Sequence, residues 1–163
     1  MPVIPRIGIG YDLHLLEPGD GLMLGGVKIP ATIKAIAHSD GDALLHAITD
    51  AMLGALGEPD IGELFPDNDP ENLSRDSSEF LQHALKLIHK AGYGLGNIDA
   101  VVQLQEPKLQ PRKLRIRQNL ARLCACDISQ VNLKAKTGER VGLVGTGQVI
   151  TTQAVVMLLR DEG

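Results

Sequence analysis

Between positions 41 and 56 the chain is almost wholly apolar. Ala43, Leu44, Leu45, Ala47, Ile48, Ala51, Met52, Leu53, Ala55 and Leu56 leave a helix almost no polar side, so the pattern predicts a buried helix over about 41–56, capped by Ser39 or Asp40. Ahead of it, Arg6 to Tyr11 reads as a strand, and residues 18–30 as short extended pieces punctuated by Gly and Pro. Behind it runs a turn-rich loop, residues 57–75, and connections of that length in a small domain often carry function. A second helix is predicted from Ser77 to Lys90, capped by Asp76 or Ser77 and stopped by Gly92. Residues 97–105 alternate like a strand, and Pro111 suits the first turn of a third helix. The β-branched runs 131–136 and 149–159 read as closing strands, with the glycine-rich segment 138–148 between them as flexible turns. Strands alternating with helices predict one α/β domain.

Three ionisable residues interrupt the buried helix. Asp42, His46 and Asp50 stand at i, i+4 and i+8, one stripe on an apolar rod. Buried polar groups need partners, and a metal ion is one. On the upstream strand Asp12 and His14 are two residues apart, so both side chains leave on one face while Leu13 leaves on the other. Asp12, His14 and His46 match the three-ligand set of a catalytic zinc with an open fourth position, and Asp42 or Asp50 is placed to orient His46. The spacing leaves a second reading open, with His46 a hydrogen-bonded core histidine and Asp12 and His14 ordinary strand-end residues.

Composition sets bounds without naming a function. A length of 163 residues, 44% of them hydrophobic, makes one domain with a sizeable core, and two Phe, two Tyr and no Trp make that core aliphatic. The net charge of -4 and pI near 5.7 argue against a nucleic-acid partner, and the basic residues of the third helix read as a solvated face. Cys124 and Cys126, at i and i+2 on a predicted helix, diverge, which fits neither a disulfide framework nor a zinc knuckle and points to a reducing setting. Residues 1–5 lack the basic start and apolar stretch of a signal peptide, and no apolar run approaches a membrane span, so a soluble cytoplasmic protein is expected. The acidic pairs after Asp67 lack the mid-loop Gly and final Glu of an EF-hand. Gly142, Gly145 and Gly147 have the wrong spacing for a dinucleotide fingerprint or P-loop, and no GxSxG elbow appears, so covalent catalysis is not expected.

Asp12-x-His14, the block His38-Ser39-Asp40-Gly41-Asp42 with His46, Asp60-Ile61-Gly62 with Phe65-Pro66-Asp67, Pro107-Lys108, and Thr137-x-Glu139 follow one another in a particular order. In that order and over essentially the whole chain, the sequence resembles the 2-C-methyl-D-erythritol 2,4-cyclodiphosphate synthases. Each motif is short, but the ordered set is specific, and it favours the zinc reading. The resemblance implies an α/β subunit of the two-layer α+β kind, a mixed β-sheet packed against about three helices. It further implies a homotrimer with sheets around the three-fold axis and active sites between subunits. The implied reaction, in the non-mevalonate isoprenoid pathway, turns 4-diphosphocytidyl-2-C-methyl-D-erythritol 2-phosphate into the 2,4-cyclodiphosphate and CMP by intramolecular phosphoryl transfer.

By the same resemblance, zinc sits on Asp12, His14 and His46, one per subunit, with its fourth position left to a substrate phosphate oxygen. Magnesium or manganese on Glu139 spans the diphosphate, in line with the preference of hard ions for oxygen ligands. His38 and Thr137 align with residues that stabilise the transition state, and Ser39 with a phosphate contact near a helix start. Leu13 joins Asp12 and His14 on the substrate side. Asp60, Ile61 and Gly62, with Phe65, Pro66, Asp67, Asn68 and Asp69, match the loop over the methylerythritol part. Leu104, Gln105, Glu106, Pro107, Lys108, Leu109 and Gln110, with Lys136, Thr137, Gly138, Glu139 and Leu143, match the cytidine-diphosphate side, Lys108 being the candidate phosphate contact.

Some positions depart from the common pattern of the family. Leu143 stands where Phe is frequent, and Glu106 brings a negative charge near phosphates. Thr146 and Gln148 replace an Arg and a Glu near the trimer axis, so prenyl-diphosphate binding there is expected to be weak or missing; saturable micromolar binding would contradict this. Two other classes keep the metal residues: a zinc-dependent phosphohydrolase that uses water, and a non-catalytic, metal-stabilised trimeric binding module.

Overall fold

Helix α1 (Ala43–Leu56) lies flat against strand β1 (Arg6–Pro18). The structure, a computed structural model, describes residues 4–161. The expectation drawn from residues 1–5 thus concerns a segment whose first three residues lie outside the described ones.

The α1–β1 contact is possible because β1 turns its small residues inward. Gly8, Gly10, Asp12, His14 and Leu16 face the helix, while Ile7, Ile9, Tyr11, Leu13 and Leu15 face away. A Cβ on Gly8 would lie 1.9 Å from the carbonyl oxygen of Ala51, and one on Gly10 would lie 1.8 Å from that of Ala47. No side chain fits there, so the two backbones pack against one another directly. Beyond the glycines, the next inward positions are Asp12 and His14, level with the first turns of α1.

β1 belongs to a five-stranded mixed sheet in the order β4 (Ile33–Ala35), β1, β7 (Val149–Arg160), β5 (Tyr93–Gln103), β6 (Val131–Lys136). β5 and β6 run parallel and the other pairs antiparallel. A hairpin of β2 (Leu22–Leu24) and β3 (Val27–Ile29) stands apart from it. Three long helices, α1, α3 (Ser77–Lys90) and α4 (Lys113–Leu123), pack on the sheet, and α2 (Ile61–Leu64) and α5 (Gly142–Gly145) are single turns. The core between the layers is aliphatic as expected, built on Leu44, Leu45, Ile48, Met52, Leu53, Leu81, Ile88, Ile98 and Ile116. Each such side chain contributes about 1.5–3 kcal/mol on leaving water. Among the described residues no helix is long and apolar enough to cross a membrane.

Several boundaries differ from the sequence expectation, each for a local reason. α1 is capped by Asp42, whose side chain accepts from Leu45 N, because the Asp40 carboxylate is taken by Ser77 and Ser39 Oγ accepts from Gly41 N. The first strand extends past Tyr11 to Pro18, since β7 pairs with it as far as Leu15 and β4 carries pairing through Leu16–Pro18. The loop 57–75 holds α2, capped by Asp60, and a 3₁₀ turn, Pro70–Asn72, capped by Asp69. β5 begins four residues early, at Tyr93, through a bulge between Leu95 and Asn97, and ends at Gln103. Cys124 is the residue that ends α4 and Cys126 lies beyond it, so the pair does not share a helix; both thiols are free. The segment 138–148 contains α5 instead of turns alone.

Candidate functional site

Strand alternation sends Asp12 and His14 to the face on which α1 lies, and the first full turn of α1 brings His46 over them. Oδ2 of Asp12 is 3.0 Å from His14 Nε2 and 3.2 Å from His46 Nδ1. One donor atom from each of the three residues falls within 4.8 Å of the others, the only such His, Cys, Asp and Glu grouping among the described residues. The His14 contact is close without hydrogen-bond geometry: Nε2 of His14 is a buried nitrogen with no hydrogen-bond partner. A buried nitrogen left unbonded beside a carboxylate is costly unless something fills the gap. Two imidazole nitrogens and a carboxylate converging on one point fit a zinc ion, with room for a fourth ligand from the cavity.

Charge at the site follows from this crowding. Burial alone would raise the Asp12 carboxyl, but contact with His14 and His46 outweighs it and holds the carboxyl below its usual range. Burial would lower His46, and the Asp12 carboxylate, with smaller effects from Asp42 and Asp40, raises it instead. The expected orienting role of Asp42 or Asp50 is not what the structure has. Asp42 is fully buried and turned to the β2–β3 hairpin: Oδ1 accepts from Gly25 N and Leu45 N at 2.9 Å each, and Oδ2 from Gly26 N at 2.7 Å. Asp50 accepts from Ile61 N at 2.9 Å, holding α2 to α1. The outer nitrogen of His46, Nε2, meets the hydroxyls of Ser77 at 2.8 Å and Ser39 at 3.2 Å instead. Ser77 was expected only as a helix cap; nothing in its local sequence marks it, because the contact spans 31 positions.

The three residues lie in a cavity of about 350 Å³, also lined by Leu13, Ile36, Ala37, His38, Ser39, Asp50, Ile61, Gly62, Phe65, Asp67, Asn72 and Phe80. Its outer wall is the 60–75 segment. Arg75 braces that wall, its guanidinium 5.1 Å from the Phe65 ring centre and 5.5 Å from that of Phe80, with Nη1 donating to Asn72 Oδ1 at 3.0 Å. Asn72 in turn donates to the Pro66 carbonyl at 2.9 Å. Asp60 and Asp69 serve as caps, and Asn68 is exposed.

The remaining expected residues gather elsewhere. Leu104, Lys108, Leu109, Gln110, Lys136 and Thr137 line a second cavity of about 230 Å³, and Glu106 and Pro107 line a neighbouring one with Ala31, Thr32 and Ile33. Gln105 ties this region together by accepting from Gly138 N at 3.1 Å. Register relates the two groups: Leu13 and Gln103 both pair with Thr151, and Gln103 pairs with Lys136. Leu13 and Lys136 therefore lie at the same end of the sheet, three strand spacings or about 14 Å apart. Glu139 and Leu143 sit exposed between β6 and β7, away from the histidines. Glu139 has φ of 51°, and its N–H donates to Thr137 Oγ1 at 3.2 Å. Thr146 Oγ1 donates to the Gly142 carbonyl and accepts from Gln148 Nε2 at 2.8 Å.

Residues 5–159 match the YgbB family. The chain is 54% identical over 160 residues to the chloroplastic 2-C-methyl-D-erythritol 2,4-cyclodiphosphate synthase of Oryza sativa subsp. japonica, covering 98% of this chain and 72% of the rice protein. It is 48% identical over 159 residues to the synthase of that name from Rhodopirellula baltica, covering 98% and 96% of the two chains. Among solved structures it resembles Plasmodium falciparum IspF in complex with CDP, with a TM-score of 0.86 and 40% identity over 97% of either chain. A further 2C-methyl-D-erythritol-2,4-cyclodiphosphate synthase superposes with a TM-score of 0.87 at 44% identity, covering 94% of this chain and 99% of the other. The chain therefore belongs to the YgbB family, the family of the 2-C-methyl-D-erythritol 2,4-cyclodiphosphate synthases.

Proposed function

We propose that the chain acts as a phosphorus–oxygen lyase, converting 4-diphosphocytidyl-2-C-methyl-D-erythritol 2-phosphate into 2-C-methyl-D-erythritol 2,4-cyclodiphosphate and CMP. The observation that carries this reading is the convergence of Asp12, His14 and His46 on one point in a cavity whose rim presents His38 and Ser39. The CDP complex of the Plasmodium falciparum relative supports a cytidine-type substrate.

The nucleophile belongs to the substrate. A phosphate monoester has a second pKa of ~6, so at neutral pH it is mostly dianionic and needs no protein base. The work left to the protein is to hold that anion in line with a diphosphate and to offset charge at the attacked phosphorus. Zinc on Asp12, His14 and His46, and magnesium or manganese on Glu139, would supply positive charge for the phosphate oxygens. His38 and the Ser39 hydroxyl donate from the cavity rim, and Thr137 from the second region, to oxygens that gain charge during transfer. Lys108 offers its ammonium to the cytidine-side phosphates. Ile61, Gly62 and Phe65 enclose the methylerythritol part, and the Asp60 carboxylate, with one oxygen engaged by Glu63 N, has the other free for a hydroxyl.

A homotrimer accounts for two features of the single chain. The outer sheet face exposes Ile7, Ile9, Tyr11, Leu13 and Leu15 with Val155 and Leu159, a continuous apolar surface of the kind that a second copy covers. Copies meeting through these sheets would set the Lys108–Thr137 region of one chain beside the Asp12–His14–His46 cluster of the next. The free thiols of Cys124 and Cys126 fit a reducing compartment such as the cytoplasm.

Mass detection of products from the diphosphocytidyl substrate tests the reading. Cyclodiphosphate and CMP in equal amounts are expected. Ring-free hydrolysis products would indicate a phosphohydrolase, and no CMP at all a binding module.

A further inference from the structure

A histidine that binds metal through one ring nitrogen is oriented by what its other nitrogen bonds, because that bond fixes both tautomer and ring plane. For His46 the other nitrogen is Nε2, 2.8 Å from the hydroxyl of Ser77, a side chain wholly shielded from solvent. The same hydroxyl is hydrogen-bonded to Oδ1 of Asp40, and the Ser77 backbone N–H donates to Oδ2 of that carboxylate at 3.0 Å. A carboxylate has no hydrogen to give, so the single hydroxyl hydrogen of Ser77 points to Asp40. Ser77 Oγ is then an acceptor toward His46. Nε2 therefore carries a hydrogen toward Ser77 Oγ, while Nδ1, which donates to Asp12 Oδ2 at 3.2 Å, faces the point where Asp12 Oδ2 and His14 Nε2 meet, and a zinc ion there would take the place of that hydrogen. The opposite orientation would set a hydroxyl lone pair against a carboxylate oxygen in close contact.

We propose that Ser77, held by Asp40, is a positioning residue for zinc: it fixes His46 as the Nε2–H tautomer and thereby makes Nδ1 the metal ligand. The proposal rests on reading Asp12, His14 and His46 as a zinc site. Ser39 reaches the same nitrogen at 3.2 Å, but it is partly exposed and its oxygen also accepts from Gly41 N at 3.3 Å, so it holds the ring less firmly. The brace extends to the substrate side. Asp40 N donates to the Arg75 carbonyl at 3.2 Å and Ser74 N to the His38 carbonyl at 2.6 Å, so the residues that orient His46 also anchor the segment bearing His38 and Ser39.

Zinc dissociation constants, read by chelator competition at one pH, test this on wild type, Ser77→Ala, Asp40→Ala, Ser77→Thr and Asp76→Ala. Asp76→Ala removes the cap of α3, where the Asp76 carboxylate accepts from Ser78 N at 2.9 Å, without touching His46. It separates a weakened helix start from a disoriented ligand. Ser77→Ala and Asp40→Ala should weaken zinc by about 10–100-fold, Ser77→Thr should keep most of the affinity, and Asp76→Ala should match wild type. ¹⁵N NMR of zinc-loaded wild type should place the ring hydrogen of His46 on Nε2, a measurement that needs no variant to fold. A folded Ser77→Ala protein that holds zinc as tightly as wild type overturns the proposal alone, as does a hydrogen on Nδ1. A wild type that binds no zinc removes the metal reading and this proposal with it.

Discussion

The α-carbon of Gly10 passes so close beneath Ala47 that a methyl group on it would lie 1.8 Å from the Ala47 carbonyl oxygen. That contact sets the height of α1 above β1, and with it the position of His46 over Asp12 and His14. Gly10→Ala must push helix and strand apart, at a cost of about 3 kcal/mol from overpacking. A clear fall in thermal midpoint together with a fall in bound zinc is the expected outcome. A variant as stable as wild type would mean that the contact is looser than the structure has it.

Asp42 predicts an unusual dependence of stability on pH. Burial first, then the nearby Asp40 charge, pushes its carboxyl up from 3.8 to about 6, against the N–H groups of Leu45, Gly26 and Gly25. The folded state then holds the proton more tightly than the unfolded state does. Stability from this group is therefore highest below about pH 4, declines as pH rises to about 6, and is level above that. The decline amounts to at most about 3 kcal/mol. In Asp42→Asn the site does not titrate, and Oδ1 still accepts from Leu45 while the amide opposes Gly26 N–H. Denaturant midpoints should show the variant less stable at pH 4, with the gap to wild type narrowing up to pH 6. A gap that widens over that window would contradict the assignment.

The uncovered sheet face gives a prediction about assembly. Ile9 is 71% exposed in the single chain, in the middle of the apolar row on β1. Ile9→Asp puts a charge into the proposed trimer contact, where an unpaired buried charge is strongly unfavourable. Light scattering should find monomer in place of trimer, with helix content unchanged. Trimer persisting in the variant would place the contact elsewhere.

Mixed assemblies test whether one site draws on two chains. His46→Ala and Lys108→Ala chains should each be nearly inactive alone. After unfolding and co-refolding in equal amounts, a site built from neighbouring subunits combines an intact histidine cluster with an intact Lys108 in about a quarter of cases. Activity near that fraction of wild type is expected. Activity no higher than that of the separate variants would mean that each chain carries a whole site.

Much of this arrangement is legible from residue order because it rests on local rules. α3 spans the predicted Ser77–Lys90, and the apolar run of α1 is buried as its composition requires. The two-residue spacing of Asp12 and His14 places them on one strand face as pleating dictates. What escapes the sequence depends on contacts between distant segments. Asp42 looks like a partner for His46 on a helix wheel, but the N–H groups of Gly25 and Gly26 claim it from another hairpin. Ser77 looks like an ordinary helix start, and only the fold brings it to the ring of a histidine 31 positions away. The second cavity around Lys108 and Thr137 likewise owes its distance from His46 to strand order, which no local pattern encodes.

In the proposed mechanism, zinc on Asp12, His14 and His46 serves the release of CMP. That role is tested most directly by metal analysis and product detection on the same preparations of wild type and His46→Ala. About one zinc per subunit in the wild type, a three-ligand site, with both metal and CMP formation lost in the variant, is the predicted result. Full turnover in a His46→Ala protein that holds no zinc would contradict it.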